Sequence, residues 1–303
     1  MKIVNVIGGL GNQMSQYAFA VALKCKYPKD DVLVDTQLYQ HVFFKTFRGN
    51  NFFHNGFEIA KIFSNASVPI AHSTDVKKVS FWIPNYIFSR LGRKLLPRKK
   101  TEVVQSYLDA YKYDDSIINT EGNVYFDGYW LSPKYIEPFK ERVIETFRFP
   151  LFCTEQNKEY QALLEKDNSV TIHIRRGDYV GAENFKDICT LDYYRKAITK
   201  ARERIINPEF FVFSNDQKWC MQNLKNEFGD AKVHFIKNNL GNENYRDMQL
   251  MSLARCNILA NSSFSWWGAF LNNRKDQIVY VPHKWVNNLD DKDVYADSWI
   301  KVE

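Results

Sequence analysis

Apolar residues in the second half of this chain come in short unbroken runs, separated by longer stretches with a three- and four-residue beat. Residues 169–174 (SVTIHI), 210–214, 232–236, 256–260 and 277–281 read as strands. Such runs, rich in β-branched and aromatic residues and bounded by polar clusters, fit strands buried on both faces. Between them, residues 191–205, the stretch from about 216, residues 244–254 and the stretch from about 263 carry helical spacing. Strand alternating with helix implies a parallel sheet with right-handed crossovers. The first half opens in the same way. Residues 3–7 read as a strand, GGLGNQ follows, and Met14, Tyr17, Ala18, Val21 and Ala22 then fall at helical spacing. Residues 32–34, ending in Asp35, read as a second strand. Residues 40–120 show no clean period, and residues 126–138 (FDGYWLSPKYIEP) read as a strand running into a turn and an aromatic loop. Because the pattern becomes regular after Pro150, two α/β domains are expected, 1–150 and 151–303.

Open parallel sheets bind ligands at the carboxyl ends of their strands. Three polar clusters fall there in the second half: HIRRGD, SND (residues 214–216) and NSS (residues 261–263). They are expected to converge on one cleft. Arginine's planar fork suits bidentate contact with phosphate and keeps its charge. Ser262 and Ser263 stand where a strand meets the helix SFSWWGAFLNN, and a helix N-terminus favours an anion. Arg175 and Arg176 with that helix start would hold a diphosphate; pairing with Asp178 or Glu183 is the structural rival. Alternation along a strand sends the two arginines to opposite sides, so one would bind and the other brace. Ser263 is expected to cap its helix.

Composition narrows this picture only in part. Hydrophobic residues at 45% and charged residues at 25% suit a soluble globular protein. Aromatics reach 16%, which serves sugar or base stacking as well as cores. A net charge of +6 makes nucleic acid a poor partner and is equally consistent with a small anionic substrate. Cys25, Cys153, Cys189, Cys220 and Cys256 are scattered without a C-x-x-C pair, which suggests a reducing compartment and neither zinc nor a disulfide framework. The opening MKIVNVI is a strand pattern, not a leader, and no apolar run nears the roughly 20 residues that span a bilayer. A cytoplasmic protein is expected. The basic stretch SRLGRKLLPRKK (residues 89–100) has two readings, contact with an anionic inner-membrane surface or a solvated loop or helix face. Gly92 and Pro97 count against one long amphipathic helix there.

GGLGNQ raises a dinucleotide-binding alternative, an oxidoreductase with Asp35 closing the next strand. The fingerprint is incomplete, because Met14 stands where the third glycine belongs. The other reading is a close-packed turn that brings Asn12 and Gln13 to the cleft. The Asp-x-Asp triplet of metal-dependent sugar-nucleotide enzymes occurs only as Asp291-Lys292-Asp293, with no strand before it. No metal site is therefore expected, and the arginines would neutralise a diphosphate leaving group instead.

GGLGNQMSQYAFA (8–20), FDGYW (126–130), HIRRGDYV (173–180), FFVFSND (210–216) and DMQLMSLARCNILANSSFSWWGAFLN (247–272) together resemble the bacterial α-1,2-fucosyltransferases of glycosyltransferase family 11. The motifs occur in family order and span almost the whole chain. The resemblance implies a GT-B type α/β fold, two Rossmann-like domains facing a central cleft. It implies an acceptor-side domain at 1–150 and a GDP-fucose-binding domain at 151–303. The reaction implied is inverting and needs no metal or other cofactor: fucose passes from GDP-fucose to the 2-hydroxyl of a terminal β-galactose in an acceptor glycan.

Carried onto this sequence, the resemblance makes Arg175 the contact to the β-phosphate, supported by Arg176, with His173 beside the nucleotide. Gly9, Gly11, Asn12 and Gln13 would face fucose and diphosphate, and Asn261, Ser262 and Ser263 would line the phosphate site. Asp216 and Asp247 are candidates for guanine or ribose, since a carboxylate accepts both N1–H and N2–H of guanine. For the base, Asp178 and Glu183 are the nearest carboxylates; related α-1,6-fucosyltransferases place a Glu at the offset of Glu183. Two departures stand out, Ser15 for the usual Phe and Ser263 for the usual Thr. The acceptor pocket is expected in the aromatic-rich region 40–135.

Overall fold

The structure, a computed structural model, describes residues 1–40, 55–106 and 108–303; the side chains of Lys94 and Asp178 lie outside what it describes. The region expected to form the acceptor pocket therefore falls partly outside the described residues. The chain divides into two α/β units, Met1–Pro150 with Lys292–Val294, and Leu151–Asp291 with Tyr295–Glu303. Among the described residues no helix is long and apolar enough to cross a membrane.

Unit 1 is built on four parallel strands, β1 (Lys2–Asn5), β2 (Val32–Asp35), β3 (Glu102–Val104) and β4 (Val124–Asp127), in the order β2-β1-β4-β3. Its helices are α1 (Leu10–Lys26), α2 (Gln37–Gln40), α3 (Ile59–Ile62), α4 (Ser73–Val79), α5 (Tyr86–Leu95), α6 (Asp115–Ile118) and α7 (Lys140–Thr146). Several of these fall where the sequence shows no clean period. Helix α1 is buried almost all round from Leu10 to Leu23, as its small and apolar composition requires of a central helix. Phe19 on it stacks on Trp130 at 4.8 Å and meets Tyr135 and Phe126 edge-on. FDGYW thus sends Phe126 and Trp130 into the core.

Unit 2 carries β5 (Ser169–Ile174), β6 (Glu209–Ser214), β7 (Val233–Ile236), β8 (Cys256–Ile258), β9 (Ile278–Pro282) and β10 (Ile300–Val302). All pair in parallel, in the order β10-β9-β8-β5-β6-β7. Helices α8 (Glu155–Leu164), α9 (Leu191–Arg204), α10 (Gln217–Asn223), α11 (Tyr245–Met251) and α12 (Ser263–Phe270) join them. Every residue of β5 is buried, and Val170, Ile172 and Ile174 pack with Tyr193, Tyr194 and Phe210 in one core.

The strand order reverses once in unit 2, at β5, and twice in unit 1. In unit 1, β2 lies on one side of β1 and β4 on the other; in unit 2, β6 lies on one side of β5 and β8 on the other. Neighbouring loops diverge at such a reversal and leave a crevice at the carboxyl ends, where α/β sheets take ligands.

Gly128 is the position in FDGYW that only glycine tolerates. A Cβ there would lie 2.6 Å from the Trp130 ring and 2.8 Å from Gln105. Trp130 is 1% exposed and has little room to retreat. Gly128→Ala is expected to destabilise unit 1 by about 1–3 kcal/mol, the usual range for overpacking, measured as a lower denaturation midpoint.

Candidate functional site

Four polar loops share the carboxyl edge of β8, β5, β6 and β7 in unit 2. Arg175 and Arg176 follow β5 and are partly exposed. The Arg176 backbone N–H donates to Asn215 Oδ1 at 2.9 Å, its Nε lies 3.5 Å from Asp216 Oδ2, and its guanidinium covers the Trp219 ring at 4.1 Å. Arg176 is therefore the bracing arginine, held by the loop after β6. The Arg175 guanidinium lies over Tyr179 at 5.5 Å, in different surroundings.

His173 is 6% exposed near the end of β5. Its carbonyl accepts from Tyr194 Oη at 3.2 Å, and its ring lies 5.7 Å from that of Phe264 in the first turn of α12. Its Nδ1 is buried with no hydrogen-bond partner. Burial first, and Arg175 second, lower its pKa to about 3, so the imidazole is neutral at ordinary pH.

The third polar cluster divides its roles. Asn261 is 1% exposed; its amide donates to Trp285 O at 3.0 Å, and its Oδ1 accepts from Cys189 Sγ. Both ends of that side chain are committed, so Asn261 is a brace and not a ligand contact. Ser262, not Ser263, is the N-cap of α12, in extended conformation and without a side-chain cap hydrogen bond. The expected capping by Ser263 is thus corrected: Ser263 is the first helical residue. The start of α12 follows directly on β8, and the first N–H groups of a helix have no acceptor within it.

Asp216 caps α10 by accepting from Trp219 N at 3.1 Å, besides facing Arg176. Asp216 thus holds a helix start and an arginine, a structural task alongside the guanine or ribose contact expected of it. Asp247 differs. It stays partly accessible, yet burial pushes its carboxyl up to about 7 against a lowering hydrogen bond from Asn239 Nδ2 at 2.8 Å. A group that is crowded and still accessible lines a concave wall. Asn239 is itself held by Asn157 Nδ2 at 2.8 Å, and Asn238 donates to Asn157 Oδ1. These asparagines lie just beyond β7 and escape sequence reasoning. The only signal in the sequence is the polar run Lys237-Asn238-Asn239 after that strand.

In unit 1 the glycine loop is structural at most positions. Gln13 is fully buried; its amide donates to the carbonyls of Gly8 and Gly56, and its Oε1 accepts from Glu58 N. It cannot also reach a ligand, which corrects that expectation. Gly9 is the N-cap of α1 and Gly11 is buried in its first turn, while Asn12 keeps partial exposure. Ser15 is buried and donates back to Gly11 O at 3.1 Å. Asp35 accepts from Tyr125 Oη at 2.7 Å and from Gln37 N, and burial raises its pKa. That leaves no ribose contact for a dinucleotide fold.

A second polar concentration, also missed from sequence, lies at the β1/β4 reversal. Asn5 donates to Asp127 Oδ1 at 2.9 Å and to Tyr86 Oη at 3.1 Å. Arg93 Nε and Arg90 Nε face Asp127 Oδ2 at 3.9 and 4.0 Å. Arg93 is 3% exposed, so part of the basic stretch 89–100 turns inward and the stretch is not a wholly solvated helix face.

Of the two candidate bases, Glu183 is exposed and paired with Lys186 at 2.8 Å, not with either arginine. A solvated, ion-paired carboxylate is a poor base, which counts against the role expected of Glu183. The side chain of Asp178 lies outside the described residues. Among those residues no group of three His, Cys, Asp or Glu stands together as metal ligands. Asp291 accepts from Trp285 N and Val286 N, whereas Asp293 accepts from Lys134 Nζ at 2.6 Å and Tyr113 N at 3.0 Å. The two carboxylates of the triplet serve separate purposes.

Asp247 yields a pH prediction with a definite sign. Its folded pKa of about 7 lies above the unfolded value, about 3.9, so the folded state binds the extra proton. Its contribution to stability is full below the unfolded value and falls as pH rises to the folded one. Relative to Asp247→Asn, the wild-type melting temperature is expected to drop between about pH 4 and 7 and then hold a constant gap. A gap independent of pH would remove the shift.

The family model described as Glycosyl transferase family 11 matches residues 97–303. An alpha-1,2-colitosyltransferase of Escherichia coli is 33% identical, over 99% of this chain and 98% of that protein. Galactoside alpha-(1,2)-fucosyltransferase 2 of Mus musculus is 24% identical, over 88% of this chain and 67% of that protein. Among solved structures, POFUT1 in its apo form aligns over 93% of this chain and 98% of its own, at 12% identity and a TM-score of 0.47. A family 11 match on a chain of two α/β units with parallel sheets replaces the oxidoreductase alternative. The chain belongs to glycosyl transferase family 11.

Proposed function

We propose that this protein is an inverting α-1,2-fucosyltransferase that moves L-fucose from GDP-fucose to the 2-hydroxyl of a terminal β-galactose. Unit 2 would hold the donor and unit 1 the acceptor glycan, in the cytoplasm and without a metal or other cofactor. The observation that carries the reading is the shared carboxyl edge of β8, β5, β6 and β7 in a family 11 chain. There Arg175 and the start of α12 offset the charge of a diphosphate, and Asp247 offers acceptors to guanine N–H groups. The neutral His173 adds no charge beside Arg175.

In the reaction the bond between fucosyl C1 and the β-phosphate oxygen breaks, and GDP leaves with the electron pair. Arg175 stabilises the growing phosphate charge, and preorganised stabilisation of this kind usually contributes most to lowering a barrier. The galactose O2 attacks C1 from the opposite face and its proton passes to solvent or base, inverting the centre by analogy with other inverting sugar transfers. A second reading keeps the linkage and changes the donor sugar to colitose, which lacks the 3-hydroxyl of fucose. The 33% identical colitosyltransferase favours it.

Incubation with GDP-fucose or GDP-colitose and a panel of β-galactosides, with and without EDTA, tests both readings by NMR of the product linkage. The expected product carries an α-1,2 linkage and forms in EDTA. No product from either donor refutes the proposal. Arg175→Ala is expected to lower kcat at least about a hundredfold, the scale of losing one oxyanion donor. Glu183→Gln is expected to keep activity within a few-fold.

A further inference from the structure

Helix α5 is built inside out. Its buried side presents Tyr86, Ser89 and Arg93, with Arg90 half-buried, while Phe88, Leu91 and Leu95 are 57%, 45% and 73% exposed. These three fall at i, i+3 and i+7, so they form one stripe along the outer face. Leu96, which follows, is 48% exposed. Surface helices of globular proteins have the opposite polarity.

The orientation is fixed. Asn85 caps the helix by accepting from Ile87 N and Phe88 N. Ser89 Oγ bonds both the N–H and the carbonyl of Ile83 at 2.9 Å. Arg93 donates to Phe81 O and lies over the Tyr125 ring at 4.8 Å. At Gly92 the helix backbone approaches Phe81 so closely that a Cβ would meet the ring at 2.2 Å. The glycine that counts against one long amphipathic helix in the sequence is the one that lets α5 seat itself. Rotating the leucines inward would break all of these contacts.

Immediately beyond the stripe the chain reads Pro97-Arg98-Lys99-Lys100, all exposed. Lys99 donates to Ser80 O, but Arg98 and Lys100 face no carboxylate among the described residues. An apolar stripe with cations at its end matches the depth profile of a bilayer surface, acyl boundary below and anionic headgroups above. We propose that the Phe88–Leu91–Leu95 face of α5, with Arg98 and Lys100, docks unit 1 on an anionic phospholipid surface. The polar side of the same helix pairs with Asp127 at the carboxyl end of β4. Docking would therefore put the lipid surface about one helix diameter, roughly 10 Å, from that strand end. Docking is independent of the donor and the linkage formed, so it is tested without any sugar.

The test is co-sedimentation of the full chain with sucrose-loaded vesicles of phosphatidylcholine alone or with about 30% phosphatidylglycerol. Binding is expected only to the anionic vesicles and should weaken with added salt. Leu91→Ser/Leu95→Ser and, separately, Arg98→Glu/Lys100→Glu should each reduce partitioning by about tenfold or more. All four residues are exposed, so melting temperatures should stay at the wild-type value and show that the variants fold. Wild-type protein that ignores anionic vesicles, or variants that bind as well as wild type, would overturn the proposal. So would light scattering that shows a dimer which Leu91→Ser/Leu95→Ser dissociates, since the stripe would then be a self-interface.

Discussion

Strand β5 must pair with β6 on one side and β8 on the other, and the candidate donor site depends on that double pairing. Six register pairs tie it to β6 and three to β8, so its carboxyl end is fixed before any loop is placed. The loops after β5, β6 and β8 then leave the same edge with no room to choose another. Arg176 illustrates how the edge is rigidified. A partly exposed ion pair at 3.5 Å contributes at most about 1 kcal/mol. A backbone bond to Asn215 and a cation–π contact with Trp219 each contribute a similar amount. Several modest interactions on one residue fix the loop that carries Arg175.

Unit 1 resolves a harder conflict. Burying a guanidinium costs several kcal/mol unless charge and hydrogen bonds compensate. Asp127 stands at 3.9 Å from Arg93 Nε, outside hydrogen-bond range, and the Tyr125 ring offers a desolvated cation–π contact worth about 2 kcal/mol. Against this, turning the stripe of α5 inward would gain about 1.5–3 kcal/mol for each large apolar side chain buried. The helix forgoes that gain. Fold stability alone does not explain such a choice, and the proposed docking surface would reward the exposed leucines.

The strands of unit 2 were legible because a doubly covered parallel sheet demands continuous apolar runs, and SVTIHI and FFVFS satisfy that demand. β10 was not, since three residues, IKV, carry too little pattern. Helix α5 was unreadable for a physical reason: its buried side is polar, so hydrophobic periodicity points the wrong way. At the site, residue type located the right edge and often missed the right task. Gln13, Asp216 and Asn261 stand where ligand contacts were expected, but their side chains satisfy the chain's own N–H, carbonyl and guanidinium groups. A sequence does not reveal whether a polar side chain at a strand end turns outward or back. Asn238 and Asn239 do not stand out, because a polar run after a weakly apolar strand looks like any loop.

The short return of the chain at Lys292–Val294 has a practical consequence. Asp293 is buried in unit 1, where it accepts from Lys134 and from the Tyr113 backbone, although most of the sequence around it builds unit 2. Unit 1 is therefore not a contiguous stretch of gene. Expressed to residue 150 alone, it would lack the acceptor for Lys134 and leave Tyr113 N–H without its carboxylate. Swapping halves between relatives would transplant a sheet together with another protein's latch, so a chimera would have to exchange residues 292–294 along with 1–150.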